Sequence, residues 1–117
     1  MKLRELSLDD IESLAVGAWV LGTGGGGNPY LALLNMRALY KEGHRVQLMS
    51  AFDLADDARI GPLAGFGAPL VGQERLNDHR TIARAARLME EHTGRKFDAL
   101  MSMEIGGGST ITVTRWP

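Results

Sequence analysis

The sequence lacks cysteine, a dominant charge of either sign and a long apolar run. Without cysteine there is no disulfide, thiolate nucleophile or Cys-ligated zinc, so the usual pattern of a small secreted domain is missing and a cytoplasmic location is expected. The 13 Lys and Arg residues balance 14 Asp and Glu residues, and the two signs are interleaved. We therefore expect no clustered basic surface for nucleic acid and no attraction to an anionic membrane.

The longest uncharged stretch predicts neither a membrane span nor a signal peptide. It lies between Glu12 and Arg37, but its middle is rich in glycine. The apolar run at residues 14–21 is far shorter than the roughly 20 residues that cross a bilayer. Four acidic residues in the first twelve positions are also incompatible with a signal peptide. The expectation is a soluble chain.

Glycine is the residue in excess, with 15 among 117 residues, nearly twice the usual share of about 7%. Twelve of these glycines fall into three clusters, at residues 22–27, 61–72 and 106–108. Of the other three, Gly43 and Gly94 follow predicted helices and Gly17 lies inside one. The excess is therefore local and indicates loops rather than a low-complexity chain.

Apolar residues at three- and four-residue steps predict three helices. Ser7 followed by Asp10 indicates a capping box, and Asn28 followed by Pro29 is a second start signal. The predicted helices are residues 8–20, residues 29–42, and a third that starts at Asn77 or Asp78 and ends at Gly94.

Extended segments alternate with these helices. The predicted strands are residues 45–50, an irregular or edge strand within 60–71, a short strand at 97–103 buried on both faces, and a β-branched segment at 110–114. This order predicts one α/β domain over residues 1–117. It would hold a mixed or parallel sheet with helical crossovers and glycine-rich loops at element ends.

The first glycine cluster allows a dinucleotide-binding interpretation. Gly22, Gly24 and Gly27 match the G-x-G-x-x-G pattern, and Asp53 follows at a suitable distance. That fold requires a strand immediately before the glycines, at residues 14–21, whereas the periodicity there is helical. A strand would favour a dinucleotide-binding half-domain, and a helix would exclude it.

Two other uses of the first cluster remain open. The N–H groups of Asn28, Tyr30 and Leu31 at a helix start can hold an anion or a polarised oxygen. Alternatively, the glycines serve only to let two helices pack closely.

Glu104 is the candidate general base. It follows a predicted strand and precedes three glycines, where the ligand crevice of an open α/β sheet lies. A partly desolvated carboxylate there can accept a proton. The alternative is a helix cap or a surface ion pair with Arg115 or Lys96. Glu74 is a second candidate.

No residue pattern predicts a metal or a particular cofactor. The three histidines, His44, His79 and His92, lack the spacing of zinc ligands. We therefore expect no metal centre and leave the cofactor undefined.

Three segments together resemble a known family: LGTGGGGNPY at residues 21–30, GAPLVGQERL at 67–76 and EIGGG at 104–108. They are similar to the N-terminal domain of the hydantoin-utilisation-like family typified by S-methyl thiohydantoin desulfurase. The resemblance implies an α/β domain of a hydrolase for hydantoin-like cyclic amides. In the typifying member, water replaces a methylthio group on the ring and a thiol leaves.

This resemblance implies a small-molecule substrate but carries over no catalytic residue. A water-activating base and donors for charge on the ring are needed, and Glu104 with glycine N–H groups would fill those roles. The expected substrate-binding residues are Gly24, Gly25, Gly26, Gly27, Asn28, Glu74, Gly106 and Gly107.

The chain also departs from the family pattern. Family members are several-fold longer and have a second domain, and Ser109 stands where an Asn is expected. We therefore expect a truncated, frameshifted or fragmentary member that self-associates or lacks a partner domain. A non-catalytic ligand-binding or interaction module is the alternative function.

Overall fold

The computed structural model describes residues 3–65, 67, 70–76, 78 and 80–107. Several predicted features lie outside these residues: the strand at 110–114, the cap at Asn77, His79, and Gly108 with the residues that follow it. In chain order the elements are β1 (Arg4–Glu5), α1 (Leu8–Gly22), α2 (Tyr30–Lys41), β2 (Gln47–Leu48), a 3-10 turn (Ala51–Asp53), β3 (Ile60–Leu63), α3 (Val71–Glu74), α4 (Thr81–Thr93) and β4 (Ala99–Ser102).

Helix α1 begins at the predicted capping box. The Ser7 hydroxyl accepts a hydrogen bond from the Asp10 N–H at 3.1 Å, and the Asp10 carboxylate accepts one from the Ser7 N–H at 2.9 Å. The helix continues two residues past the predicted end, to Gly22, and ends with Thr23 in the left-handed conformation at φ 46°. Local capping thus sets the start of α1, and the glycine cluster sets its end.

Helices α1 and α2 form an antiparallel pair. The Arg37 Nη2 atom lies 2.6 Å from Glu12 Oε1, which places the first half of α1 beside the second half of α2. Between the helices and strands β1 and β2 lies the core, made of Leu6, Ile11, Ala15, Met36 and Val46. This half of the chain therefore has its own buried centre.

Tyr40 ties this core to the short strands. Its hydroxyl donates to the Leu6 carbonyl at 2.8 Å and accepts from the Val46 N–H at 3.3 Å. Strands β1 and β2 pair antiparallel, with Glu5 opposite Gln47. Strand β2 is shorter than the predicted segment 45–50, and β1 was not predicted, since two residues carry too little pattern.

Strands β3 and β4 pair in parallel, with Gly61 opposite Leu100, and α3 and α4 lie in the connection between them. The α/β class and the helical crossover predicted from the sequence are confirmed. Helix α4 packs on β3 and ends, as predicted, at Gly94 with φ 67°. The predicted cap at Asp78 was wrong, because the N-cap of α4 is Arg80 and no side chain among the described residues caps the helix. The Asp78 carboxylate instead accepts from the Arg80 N–H at 2.9 Å, in the turn before the helix.

The prediction that β4 is buried on both faces was wrong. Met101 is 49% exposed, and Pro62, its partner on β3, is also exposed. The short apolar run at residues 97–103 does not distinguish a fully covered strand from one with a single covered face.

Candidate functional site

The first and third glycine clusters contact each other through their backbones. A Cβ atom on Gly22 would lie 2.9 Å from the Gly107 nitrogen, and one on Gly26 would lie 3.0 Å from the Gly106 carbonyl carbon. From the other side, a Cβ on Gly106 or Gly107 would approach Gly22 or Gly26 more closely than 3.0 Å. Gly106 and Gly107 are buried. Only glycine permits this approach, which joins the α1–α2 half to the β3–β4 half.

The glycines of the first cluster do not serve the predicted role of letting two helices pack closely on each other. The glycines admit another glycine segment, far away in sequence, rather than bringing α1 directly onto α2. This contact accounts for Gly22, Gly26, Gly106 and Gly107 without any ligand.

Glu104 lies next to this contact. It follows the end of β4 by two residues and precedes Gly106 by two residues. The Ser102 hydroxyl donates to the Glu104 carbonyl at 2.6 Å and accepts from the Glu104 N–H at 3.4 Å, which fixes the backbone of the turn. Glu104 is exposed, so the partial desolvation expected from the sequence is not found.

Two N–H groups, one in the first cluster and one at the start of α2 just after it, already donate hydrogen bonds within the protein. The Gly26 N–H donates to the Gly22 carbonyl at 3.1 Å. The Tyr30 N–H, expected to be free, donates to Asn28 Oδ1 at 2.9 Å, while Pro29 is buried at the start of α2. Asn28 thus satisfies the helix start with its side chain, and the anion-holding role foreseen for the Tyr30 N–H is not supported.

The more accessible part of the cluster is Gly24, Gly25 and Gly27. Gly24 and Gly25 are exposed, and Gly27 is half-buried. Gly24 and Gly27 have φ angles of 90° and 77°, which favour glycine, and a Cβ on either would have no neighbouring atom within 4 Å. These positions leave open space beside the turn.

Glu74 lies on a different element from these residues. It lies on the short helix α3 and is exposed. In the part of the chain that the structure describes, no hydrogen bond or ion pair connects it with Glu104 or the first glycine cluster. Sequence order alone put Glu74 in the candidate site.

The dinucleotide-binding hypothesis was wrong, because it required a strand immediately before the first glycine cluster. Residues 14–21 belong to helix α1, so a helix rather than a strand leads into Gly22, Gly24 and Gly27. Asp53 lies in a 3-10 turn. The phosphate-binding turn of that fold needs a strand before the glycines, and the spacing of the glycines here is a coincidence of composition.

Two further features concern metals and membranes. Within the described ranges, no group of three or more His, Cys, Asp and Glu side chains is arranged to hold a metal ion. No helix among the same residues has both the length and the apolar character needed to span a membrane.

One concave surface was missed by sequence reasoning. It is a groove of about 490 Å³ at the opposite end of the α1–α2 pair from the glycine turn. Its lining residues are Glu5, Leu6, Ser7, Leu8, Arg37, Tyr40, Lys41 and Arg45. The signal available in the sequence was the spacing of Arg37 and Lys41, which puts two cations on one face of a helix.

The fold and the glycine contact define a small α/β domain. Its α1–α2 part and its β3–β4 part contact each other through the backbone atoms of the first and third glycine clusters. The chain belongs to the S-Me-THD-like family, because the family model for its N-terminal domain matches residues 9–115. This confirms the family indicated by the three glycine-containing segments. No curated protein and no solved structure gave a significant match.

Proposed function

We propose that the chain is the N-terminal part of a hydrolase for hydantoin- or thiohydantoin-like cyclic amides, with Glu104 as the general base. The observation that supports the proposal is that Glu104 lies two residues before Gly106, which with Gly107 contacts Gly22 and Gly26 of the first cluster. Membership of the S-Me-THD-like family supports the class of substrate.

The reaction needs one base and a few donors. Water attacks the ring carbon that bears the leaving group, Glu104 takes a proton from this water, and a new C–O bond forms. The C–S bond then breaks and the sulfur leaves as a thiol after it gains the proton. Gly24 and Gly25 are exposed, and in this proposal their N–H groups donate to a ring oxygen or nitrogen as charge develops there.

Glu104 must be shielded from solvent for this chemistry, since an exposed carboxylate is a weak base. A second domain or a second copy of the chain would exclude water from the site and raise the proton affinity of the carboxylate. The full site is therefore proposed to form between this domain and that partner, with Glu74 and Asn28 at its margin.

Glu104→Gln tests the catalytic role. We expect this variant to keep its fold and to lose at least about 100-fold in turnover of an S-methyl thiohydantoin, as is typical of removing a general base. The chain contains no cysteine, so a chromogenic thiol reagent detects the released thiol without background from the protein.

The matched control for this test is Glu91→Gln. It removes an exposed carboxylate from helix α4, away from the glycine contact. Undiminished activity in Glu104→Gln, or an equal loss in both variants, would eliminate Glu104 as the base.

A non-catalytic binding module is the second candidate function. It is favoured by the burial of Gly106 and Gly107, which gives these glycines a structural role. A thermal-shift screen separates the two functions, because a ligand that binds only the folded chain raises the melting temperature. A shift with hydantoins and no thiol release would support the binding module, and no shift with any hydantoin analogue would count against both.

A further inference from the structure

The groove at the start of α1 collects positive charge. Arg37, Lys41 and Arg45 line it with one carboxylate, that of Glu5. Glu12, which forms an ion pair with Arg37, adds a second carboxylate at its edge. Three positive and two negative side chains therefore meet at the groove, an excess of one positive charge, although the whole chain has a formal charge of -1. Such a concentration in a concave surface focuses a positive potential and attracts anions.

Lys41 is available to bind an anion, and the guanidinium of Arg45 is held in place by contacts within the protein. Among the residues that the structure describes, Lys41 has no carboxylate partner, and it is exposed. The Arg45 guanidinium lies 5.1 Å from the centre of the Tyr40 ring, and its Nη1 donates to the His44 carbonyl at 2.6 Å and the Tyr40 carbonyl at 3.1 Å. Its Nε atom also lies 3.8 Å from Glu5 Oε1. These contacts hold the guanidinium before any ligand arrives, which reduces the entropy lost on binding.

Arg37 is only partly occupied by its ion pair. Its Nε and Nη2 atoms both donate to the same Glu12 oxygen, at 3.0 and 2.6 Å. A guanidinium has five N–H donors, so others remain for a second oxyanion. Arg37 and Lys41 lie one helical turn apart on α2 and face the same groove.

The floor of the groove is less polar than its rim. Leu6 is buried in the core, Leu8 is partly exposed, and the Tyr40 ring is half-buried with its hydroxyl bound to the Leu6 carbonyl. The volume of about 490 Å³ falls within the range of small-molecule sites, which extends over roughly 300–1,000 Å³. An anionic group at the rim and an apolar group on the floor would be accommodated together.

We propose that this groove binds a small phosphate monoester, with its phosphate between Lys41, Arg37 and Arg45. A phosphate monoester has a charge of about -1.5 to -2 near pH 7, so it is attracted to the excess positive charge of the groove and offers several oxygens to the three cations. Arginine presents its donors in a planar fork that suits phosphate oxygens, and lysine adds a compact charge. The organic part lies against Leu8 and Tyr40.

This site is separate from the proposed active site. Helix α1 has 15 residues, so its two ends are about 22 Å apart at about 1.5 Å per residue. The groove lies at the first end and the glycine contact at the second. The proposal therefore stands whether or not the chain is a hydrolase.

Isothermal titration calorimetry of the full chain with phenyl phosphate and with inorganic phosphate tests the proposal. We expect both to bind and phenyl phosphate to bind more tightly, because only its ring contacts the apolar floor. Equal affinities would indicate a site for free phosphate and overturn the monoester. Absence of heat or of saturation with either ligand would overturn the site itself.

Lys41→Gln and Lys96→Gln form a matched pair for locating the site. Each removes one exposed lysine charge, but only Lys41 lies in the groove. Lys41→Gln should weaken phenyl phosphate binding by about tenfold or more, the loss typical of a hydrogen bond to a charged group, and Lys96→Gln should leave it unchanged. Lys41→Arg should restore most of the affinity, since it keeps the charge. Equal weakening by both glutamine variants would show attraction to overall charge and overturn the groove as the site.

Discussion

At the scale of single residues, glycine has two different roles in this chain. Gly94 and Gly107 have nearly the same left-handed backbone, with φ angles of 67° and 71°. A Cβ on Gly94 would meet no atom within 4 Å, whereas a Cβ on Gly107 would overlap the backbone of Gly26. The first glycine ends a helix, and the second permits a tertiary contact.

This pair of glycines gives a controlled prediction for stability. Gly94→Ala should reduce the free energy of unfolding by about 1–2 kcal/mol, the cost of a left-handed conformation for alanine. Gly107→Ala carries the same conformational cost and a steric clash, so its loss should be larger by about 1–3 kcal/mol. Urea denaturation of both variants measures the difference. Equal losses would show that the two glycine clusters do not contact each other as described.

At the scale of secondary-structure elements, the start of α1 is a charged capping box. The pKa of Asp10 is lowered below 3.8, first by the hydrogen bond from the Ser7 N–H and then by that from the Ser7 hydroxyl, with a smaller effect of Arg4. Asp78, ahead of α4, has its pKa lowered in the same way by the Arg80 N–H and side chain. In its ionised form the Asp10 carboxylate thus belongs to the cap of α1, and the Asp78 carboxylate stabilises the turn before α4.

The lowered pKa of Asp10 predicts a direction for the effect of pH. A carboxyl whose pKa is lower in the folded than in the unfolded state stabilises the fold above the unfolded value, here 3.8, and this contribution is lost as the pH falls through the folded pKa. Asp10→Asn should therefore be less stable than the parent chain at pH 7. The difference between the two should shrink below about pH 4, close to the usual pKa of an aspartate.

Asp9→Asn is the control for this prediction. It removes the same charge from the same first turn but leaves the hydrogen bonds between Ser7 and Asp10 in place. Thermal denaturation across pH 2.5–7 should show the smaller effect for Asp9→Asn. A difference between Asp10→Asn and the parent that stays constant over this range would contradict the capping role of the ionised carboxylate.

At the scale of the whole molecule, much apolar surface remains uncovered. The two-stranded parallel sheet has α4 on one side, but Met101 and Pro62 on its other face are exposed. Parallel strands are usually covered on both faces. Exposed apolar residues also follow β4 and occupy the outer face of α1: Met103, Ile105, Val16, Trp19 and Val20. Surfaces of this kind are typical of interfaces.

We therefore predict that the chain self-associates through the open face of the β3–β4 sheet. Light scattering should show a mass that rises with concentration, because pairing two such faces buries apolar area. Met101→Asp should return the chain to a monomer, and Val20→Asp, at an apolar and even more exposed position on α1, should not. A clean monomer at high concentration would refute self-association, and equal effects of the two substitutions would refute the sheet face as its site.

The features that could be predicted from the sequence are those set by neighbouring residues. The capping box at Ser7 and Asp10, the helix end at Gly94, the three main helices and the α/β class all follow from contacts within a few positions of the chain. The glycine-rich segments also sufficed to indicate the family, because their order and spacing are properties of the sequence itself.

Long-range packing decided the rest. Residues 22–26 and 106–107 are about 80 positions apart, and nothing in either glycine cluster says that the other lies against it. The groove forms where the β1–α1 junction lies against the second half of α2 and Arg45. Which face of the β3–β4 sheet stays exposed depends on the side on which α4 packs. The sequence by itself predicted loops at the glycine clusters. The tertiary structure decided which of these glycines pack against each other and which remain accessible to a ligand, because that depends on how closely two distant segments of backbone approach.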